Sequence, residues 1–151
     1  MREDEREMFP FCQEENIALT PYSPLAAGRL SRHLGEKTKR SETDTASQAK
    51  YNGVIDINRG IIERVEEVSK KKGVSMAEIS LAWFHHKKAV PIFAATIKSH
   101  IESAARSVKI QLTKEEIDYL KELYIPHKLS GPMTWNHSNS MFSMNQLKKE
   151  T

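Results

Sequence analysis

The chain has 151 residues, of which 38% are hydrophobic and 28% charged, and its formal net charge is +3. That length suffices for one ordinary hydrophobic core. The mild charge, with Lys and Arg interleaved among Glu, argues against a dedicated nucleic-acid binder. No apolar run approaches the ~20 residues that span a bilayer. A single cysteine, Cys12, excludes an internal disulfide framework and fits a reducing compartment. The first seven residues are dense in charges of both signs and lack the apolar stretch of a secretory signal. The expectation is a cytoplasmic protein with no membrane or nucleic-acid partner.

In chain order, Glu3 to Glu15 reads as helical, with Met8, Phe11 and Cys12 on one face and Pro10 kinking the helix or starting its second part. Ile17-Ala18-Leu19 reads as a short buried strand. It opens into a turn-rich loop, Thr20 to Leu30, carrying an aromatic ring (Tyr22), a hydroxyl (Ser23), two prolines and Gly28. From Arg32 to Ile57 the composition is polar and without apolar period, which reads as a long loop. Helical spacing returns at Ile61, Ile62, Val65 and Val68 and stops at Gly73, after three lysines in the last turn. Ser75 to Glu78 is a capping box opening a helix whose face carries Ile79, Ala82 and Trp83.

A second strand is expected over Ala89 to Ala95. It leads to a further capping box, Ser99 to Glu102, for a helix ending near Val108. Thr113 to Glu116 starts a last helix with Ile117, Leu120 and Leu123 on one side. Residues 132–151 are rich in Met, Ser and Asn without period and read as an irregular tail after a unit spanning 1–131. Strand, helix, strand, helix is the pattern of parallel α/β architecture.

Two such units side by side carry a chemical expectation. In a (β/α)8 barrel the loops after the last two strands, with a nearby helix N-terminus, form the usual phosphate site. Helix-start amides and the helix dipole attract anions. The segment from Ala94 to Glu102 supplies such a start, with Lys98 and His100 beside it, and Tyr22 to Leu30 supplies a facing wall. Other residues invite blander readings. Cys12 is a small buried apolar residue. His85 and His86 are adjacent and share no helix face for a metal. Lys70 to Lys72 is a cationic helix end.

At these two segments the chain resembles the C-terminal part of the aldo/keto reductases. The resemblance rests on Tyr22-Ser23-Pro24-Leu25 with Gly28 and Leu30, on Gly73 through Trp83, on Val90 through Thr96, and on the acidic last helix through His127. It implies a partial (β/α)8 TIM barrel comprising strands seven and eight with their helices. It also implies NADP(H) as cofactor. By the same resemblance Tyr22 stacks on nicotinamide, Ser23 and Leu25 meet the ribose–phosphate region, and backbone around Gly28 and Leu30 lines the pyrophosphate. Lys98 stands near a 2′-phosphate, and Pro24, Arg32, Ala94, Thr96 and His100 complete the implied cofactor-binding set. The second segment departs from the family pattern: Ala94 stands where a glycine is usual, Ile97 where a basic residue is usual, and Ala104 where Asn is usual.

Family members reduce carbonyls by hydride transfer from NADPH, using a Tyr general acid assisted by Lys, Asp and His from the first half of the barrel. Nothing here matches those four positions, so no catalytic residue is assigned, and independent turnover is not expected. The expectation is a truncated or split reductase retaining the cofactor wall, completed by an N-terminal barrel half or by self-association. The alternative is a non-catalytic remnant or interaction module that binds nucleotide weakly or not at all. Interior-facing Leu19, Val90 and Ile92 would then meet water or another chain, each forfeiting about 1.5–3 kcal/mol of burial.

Overall fold

The structure, a computed structural model, describes residues 3–126. A 3-10 turn at Glu3–Glu5 precedes α1 (Met8–Glu14). Then come the Tyr22–Leu30 loop, α2 (Lys39–Thr43), α3 (Thr45–Tyr51), α4 (Ile55–Lys72), α5 (Met76–His86), α6 (Lys98–Ser107) and α7 (Lys114–Glu122). The expected tail over 132–151 and His127 lie outside the described residues.

The core sits where α4, α5 and α7 meet. Ile62, Val65 and Val68 recur at three-residue spacing along α4 and pack with Met76 and Ile79 of α5 and Leu120 of α7. Ile79 is completely buried. Burial of this order contributes about 1.5–3 kcal/mol per large aliphatic side chain. Close approach of α7 to α4 is set by Gly60, where a Cβ would come within 2.8 Å of Leu123 Cδ1. Gly73 ends α4 at φ 66°, the left-handed cap expected of it. The expected capping box of Ser75 with Glu78 is formed, and Thr113 with Glu116, where the last helix was expected to start, forms another.

Several expectations are corrected. The two strands are absent as strands among the described residues. They survive as two isolated parallel bridges, Leu19 with Ala89 and Tyr22 with Ile92. The Val90 amide donates to Leu19 O at 2.8 Å and the Ile92 amide to Pro21 O at 3.0 Å. Pro21 removes a donor from the ladder, and a lone pair of segments has no flanking strand to extend it. The parallel direction is as expected; the regular strand is not.

The stretch from Arg32 to Ile57 is not a structureless loop. Thr38 and Ser41 exchange side-chain and backbone hydrogen bonds at the start of α2, and Asp44 caps α3 by accepting from the Ser47 amide at 2.9 Å. Local polar capping makes these helices, so no apolar period announces them. Ser99 is no N-cap: α6 starts at Lys98 behind Ile97, which gives no side-chain cap. In α1 Pro10 stands in the first turn, and only Cys12 of the expected face is buried, Met8 and Phe11 being half exposed.

Candidate functional site

Backbone geometry marks the Tyr22–Leu30 loop. Ser23, Ala26 and Ala27 all have φ between 48° and 56°, and Gly28 has φ 90°. A left-handed conformation costs a non-glycine residue about 1–3 kcal/mol, so the surrounding structure must hold three such residues in place. Short-range hydrogen bonds do part of this. The Gly28 and Leu30 amides both donate to Leu25 O, at 2.9 and 3.3 Å, and the Ala26 amide donates to Ser23 O at 3.0 Å. Pro24 is buried, and Leu30 packs against the helical core while its carbonyl accepts from Ser80 Oγ at 2.8 Å. At Gly28 a Cβ would lie 2.0 Å from Arg32 Nη2. Arg32 is folded against the glycine and donates to Thr38 Oγ1 at 2.9 Å.

Tyr22 stands out from this braced loop, 82% exposed. Helix α3 supplies its neighbours. The Lys50 ammonium lies 5.4 Å from the centre of the Tyr22 ring and 5.2 Å from that of Tyr51. The Arg29 guanidinium sits 4.8 Å from the Tyr51 ring centre. Arg29 also donates to Ser47 Oγ and Asn52 Oδ1, both at 2.8 Å, and Ser23 Oγ is 3.1 Å from the Tyr51 hydroxyl. Burial lowers the Arg29 pKa from its ordinary value, with Arg32 adding to the effect against the opposing influence of Tyr51 and Asp44. Loop and helix together make a rim of two aromatic rings and two cations. Below it opens a cavity of about 500 Å³ lined by Tyr22, Pro24, Leu30, Tyr51, Trp83 and Phe84 among others.

The second predicted segment is differently disposed. The bridge from Tyr22 to Ile92 brings its root beside the loop. Ala94, Thr96, Lys98 and His100 are all exposed, and none lines the cavity. Lys98 Nζ is 3.4 Å from Glu102 Oε1, an i,i+4 pair with the lysine 89% exposed. The His100 amide donates to Ile97 O. The site the structure assembles is therefore the loop with α3. In the sequence the only sign of the helix that carries Lys50 and Tyr51 is the Asp44 cap, with no apolar period beside it. His85 Nε2 is 3.2 Å from Ser107 Oγ, and among the described residues no group of three metal-ligating side chains forms. No described helix is long and apolar enough to cross a membrane.

Comparison with known proteins gives a consistent answer. Versiconal hemiacetal acetate reductase of Aspergillus parasiticus is 41% identical over 128 residues, covering 83% of this chain and 37% of the relative. An aldo-keto reductase of Fusarium vanettenii is 33% identical over 131 residues, covering 86% of this chain and 35% of that protein. The chain thus spans little more than a third of the length of these curated relatives. Among solved structures, the thermostable aldo-keto reductase Tm1743 in complex with the inhibitor epalrestat superimposes with a TM-score of 0.57 at 24% identity, over 82% of this chain and 36% of that one. That likeness shows a shared fold. Residues 1–125 match the model of the aldo/keto reductase family, and with so much of its length matched, the chain belongs to that family.

Proposed function

We propose that this chain carries the nucleotide-cradling wall of an NADP-dependent aldo/keto reductase, corresponding to the seventh and eighth strand–helix units of the barrel. The observation that carries this reading is the parallel register of Leu19 with Ala89 and Tyr22 with Ile92, in a chain of this family. It sets the ends of two successive parallel segments side by side, where such a barrel binds phosphate. The residues present fit a dinucleotide. Tyr22 offers an exposed ring for a planar heterocycle, with the Lys50 ammonium beside it and the Arg29 guanidinium against neighbouring Tyr51. Ser23 and Leu25 flank the ribose in this reading, and Gly28 and Arg32 form the bend that the pyrophosphate crosses. NADPH, when bound, supplies the hydride for carbonyl reduction.

The proton donor to the carbonyl must come from elsewhere. A general acid has to lie within hydrogen-bond reach of the substrate oxygen, and by the family resemblance the reactive tyrosine comes from the first half of the barrel, which none of the tyrosines here matches. Tyr51 bonds Ser23, and Tyr119 donates to Glu67. We therefore assign the reactive tyrosine and its partners to a complementary barrel portion, which also covers exposed Val90 and Ile92. The self-paired Lys98 favours a second reading, in which grip on the adenosine end has been lost and the chain is a weak-binding remnant.

Titration of the purified chain with NADPH, followed by cofactor fluorescence, tests the proposal. Saturable binding that weakens about tenfold or more in Tyr22→Ala, as expected when a stacking ring worth ~1–3 kcal/mol is removed, supports it. Absence of binding leaves the remnant reading. Aldehyde reduction that appears only on adding a complementary N-terminal portion distinguishes a split enzyme from both.

A further inference from the structure

The proposed nucleotide site raises the question of which cation meets the phosphates, and the structure answers differently from the sequence. Lys98, the lysine singled out by its place near a helix start, is spent on Glu102. Lys50 is not. Its ammonium is half-buried between the Tyr22 and Tyr51 rings and, among the described residues, faces no carboxylate within ion-pair distance. Arg29 lies against Tyr51 and is held by two neutral acceptors, Ser47 and Asn52. Asp44 acts electrostatically on Arg29 while its carboxylate caps α3, and Asp4 and Glu5, the latter paired with Lys87, line the same cavity. Lys50, against both rings, and Arg29, against Tyr51, thus border the cavity, and neither is in an ion pair among the described residues. Ring quadrupoles attract cations but do not neutralise them, so an anion arriving beside Tyr22 meets the charge of Lys50.

On the proposed-function reading of Tyr22 as the ring platform, the geometry points to Lys50, backed by Arg29, as the residue that binds the pyrophosphate of the dinucleotide. Helix α3 is then a working part of the cofactor site and not a connector. Lys50 makes a charge-assisted contact to the bridging diphosphate, and Arg29, fixed by its fork of hydrogen bonds, adds field without moving. The pyrophosphate is common to NADPH and NADH, whereas the 2′-phosphate belongs to NADPH alone. A lysine acting on the former weakens both nucleotides equally when removed.

The experiment compares the full chain with Lys50→Met and Lys50→Arg, titrating NADPH and NADH separately by fluorescence at two ionic strengths. In K50M both dissociation constants are expected to rise by about tenfold, one charge-assisted contact's worth. The salt dependence should become shallower, and K50R should retain most of the affinity. The thermal melting of K50M should match the parent, since Lys50 makes no ion pair that folding depends on. Unchanged affinity in K50M, with the parent chain binding well, overturns the assignment and leaves the Tyr22 site standing. Loss confined to NADPH moves Lys50 to the 2′-phosphate and overturns it as well. A parent chain that binds neither nucleotide removes the site reading and this inference together.

Discussion

Gly28 and Glu78 are the two single residues whose replacement says most about how this chain is built. At Gly28 the backbone stands at φ 90°, and the space a Cβ would occupy holds the Arg32 guanidinium. Alanine there meets a left-handed conformation costing roughly 1–2 kcal/mol and must also push Arg32 off Thr38. Gly28→Ala is expected to lower the urea midpoint accordingly, and a midpoint equal to the parent's would show that the loop adopts another conformation in solution. Glu78 is 4% exposed. Burial raises its carboxyl pKa, but the Ser75 amide and hydroxyl and the Arg106 guanidinium together hold it below the usual carboxylate value. A folded pKa depressed below the unfolded one contributes stability that is complete above the unfolded value, about 4.3, and fades as pH falls through the folded value. Glu78→Gln should therefore destabilise the chain by roughly 1–3 kcal/mol at neutral pH. The same substitution should flatten the stability–pH curve below about pH 4.5. A parallel curve, displaced but equally steep, would assign the acid sensitivity to other carboxylates.

At the scale of elements, Glu78 and Arg106 show what a capping box does beyond its own helix. Glu78 accepts from the Ser75 amide at 2.7 Å and from Arg106 Nε at 2.6 Å, so one carboxylate caps α5 and ties it to α6. Thr113 and Glu116 repeat the arrangement for α7, with Lys72 of α4 as the added partner at 3.0 Å. Thr113→Ala should cost about 1 kcal/mol as lost capping, read in thermal melts; a neutral result would mean that Lys72 holds Glu116 in place unaided. These helices were legible in the sequence because their signals are local: Ser and Thr with Glu three residues on, Gly73 at a stop, and Ile62, Val65 and Val68 at helical spacing. The short α2 and α3 were equally local, but their cue was Thr38 and Asp44 alone, with no apolar stripe to draw attention. The strands were legible only as direction. Ile17 to Leu19 and Ala89 to Ala95 have the apolar content of buried barrel strands, yet strand regularity depends on neighbours to either side, which these residues do not encode. The turn-rich loop at Tyr22 was visible in the sequence; the cation that meets its ring was not, because Lys50 reaches Tyr22 only once α3 forms.

Across the whole molecule the apolar surface is unevenly disposed. The α4–α5–α7 core is closed, while Val90 and Ile92 on the bridged segment are 61% and 56% exposed. Ile97, Ile101 and Val108 on and around α6 are also more than half exposed. Five large aliphatics left in water are too many to attribute to ordinary scatter when two of them sit on backbone whose direction matches a parallel barrel strand. The helical layer should accordingly be stable in isolation and the bridged edge should not. In hydrogen exchange, amides of α4 and α5 should be protected, while those of Val90 and Ile92, each holding a single bridge bond, should exchange far faster. Association should protect them, since covering both side chains recovers about 3–6 kcal/mol of burial, taking about 1.5–3 for each. Sedimentation of the chain should then depend on concentration or on an added barrel portion, and Val90→Glu with Ile92→Glu should abolish that dependence while leaving helical circular dichroism intact. A parent chain that stays monomeric with slow exchange at both amides would show that the edge is satisfied internally, and the assignment of a complementary portion would fall with it.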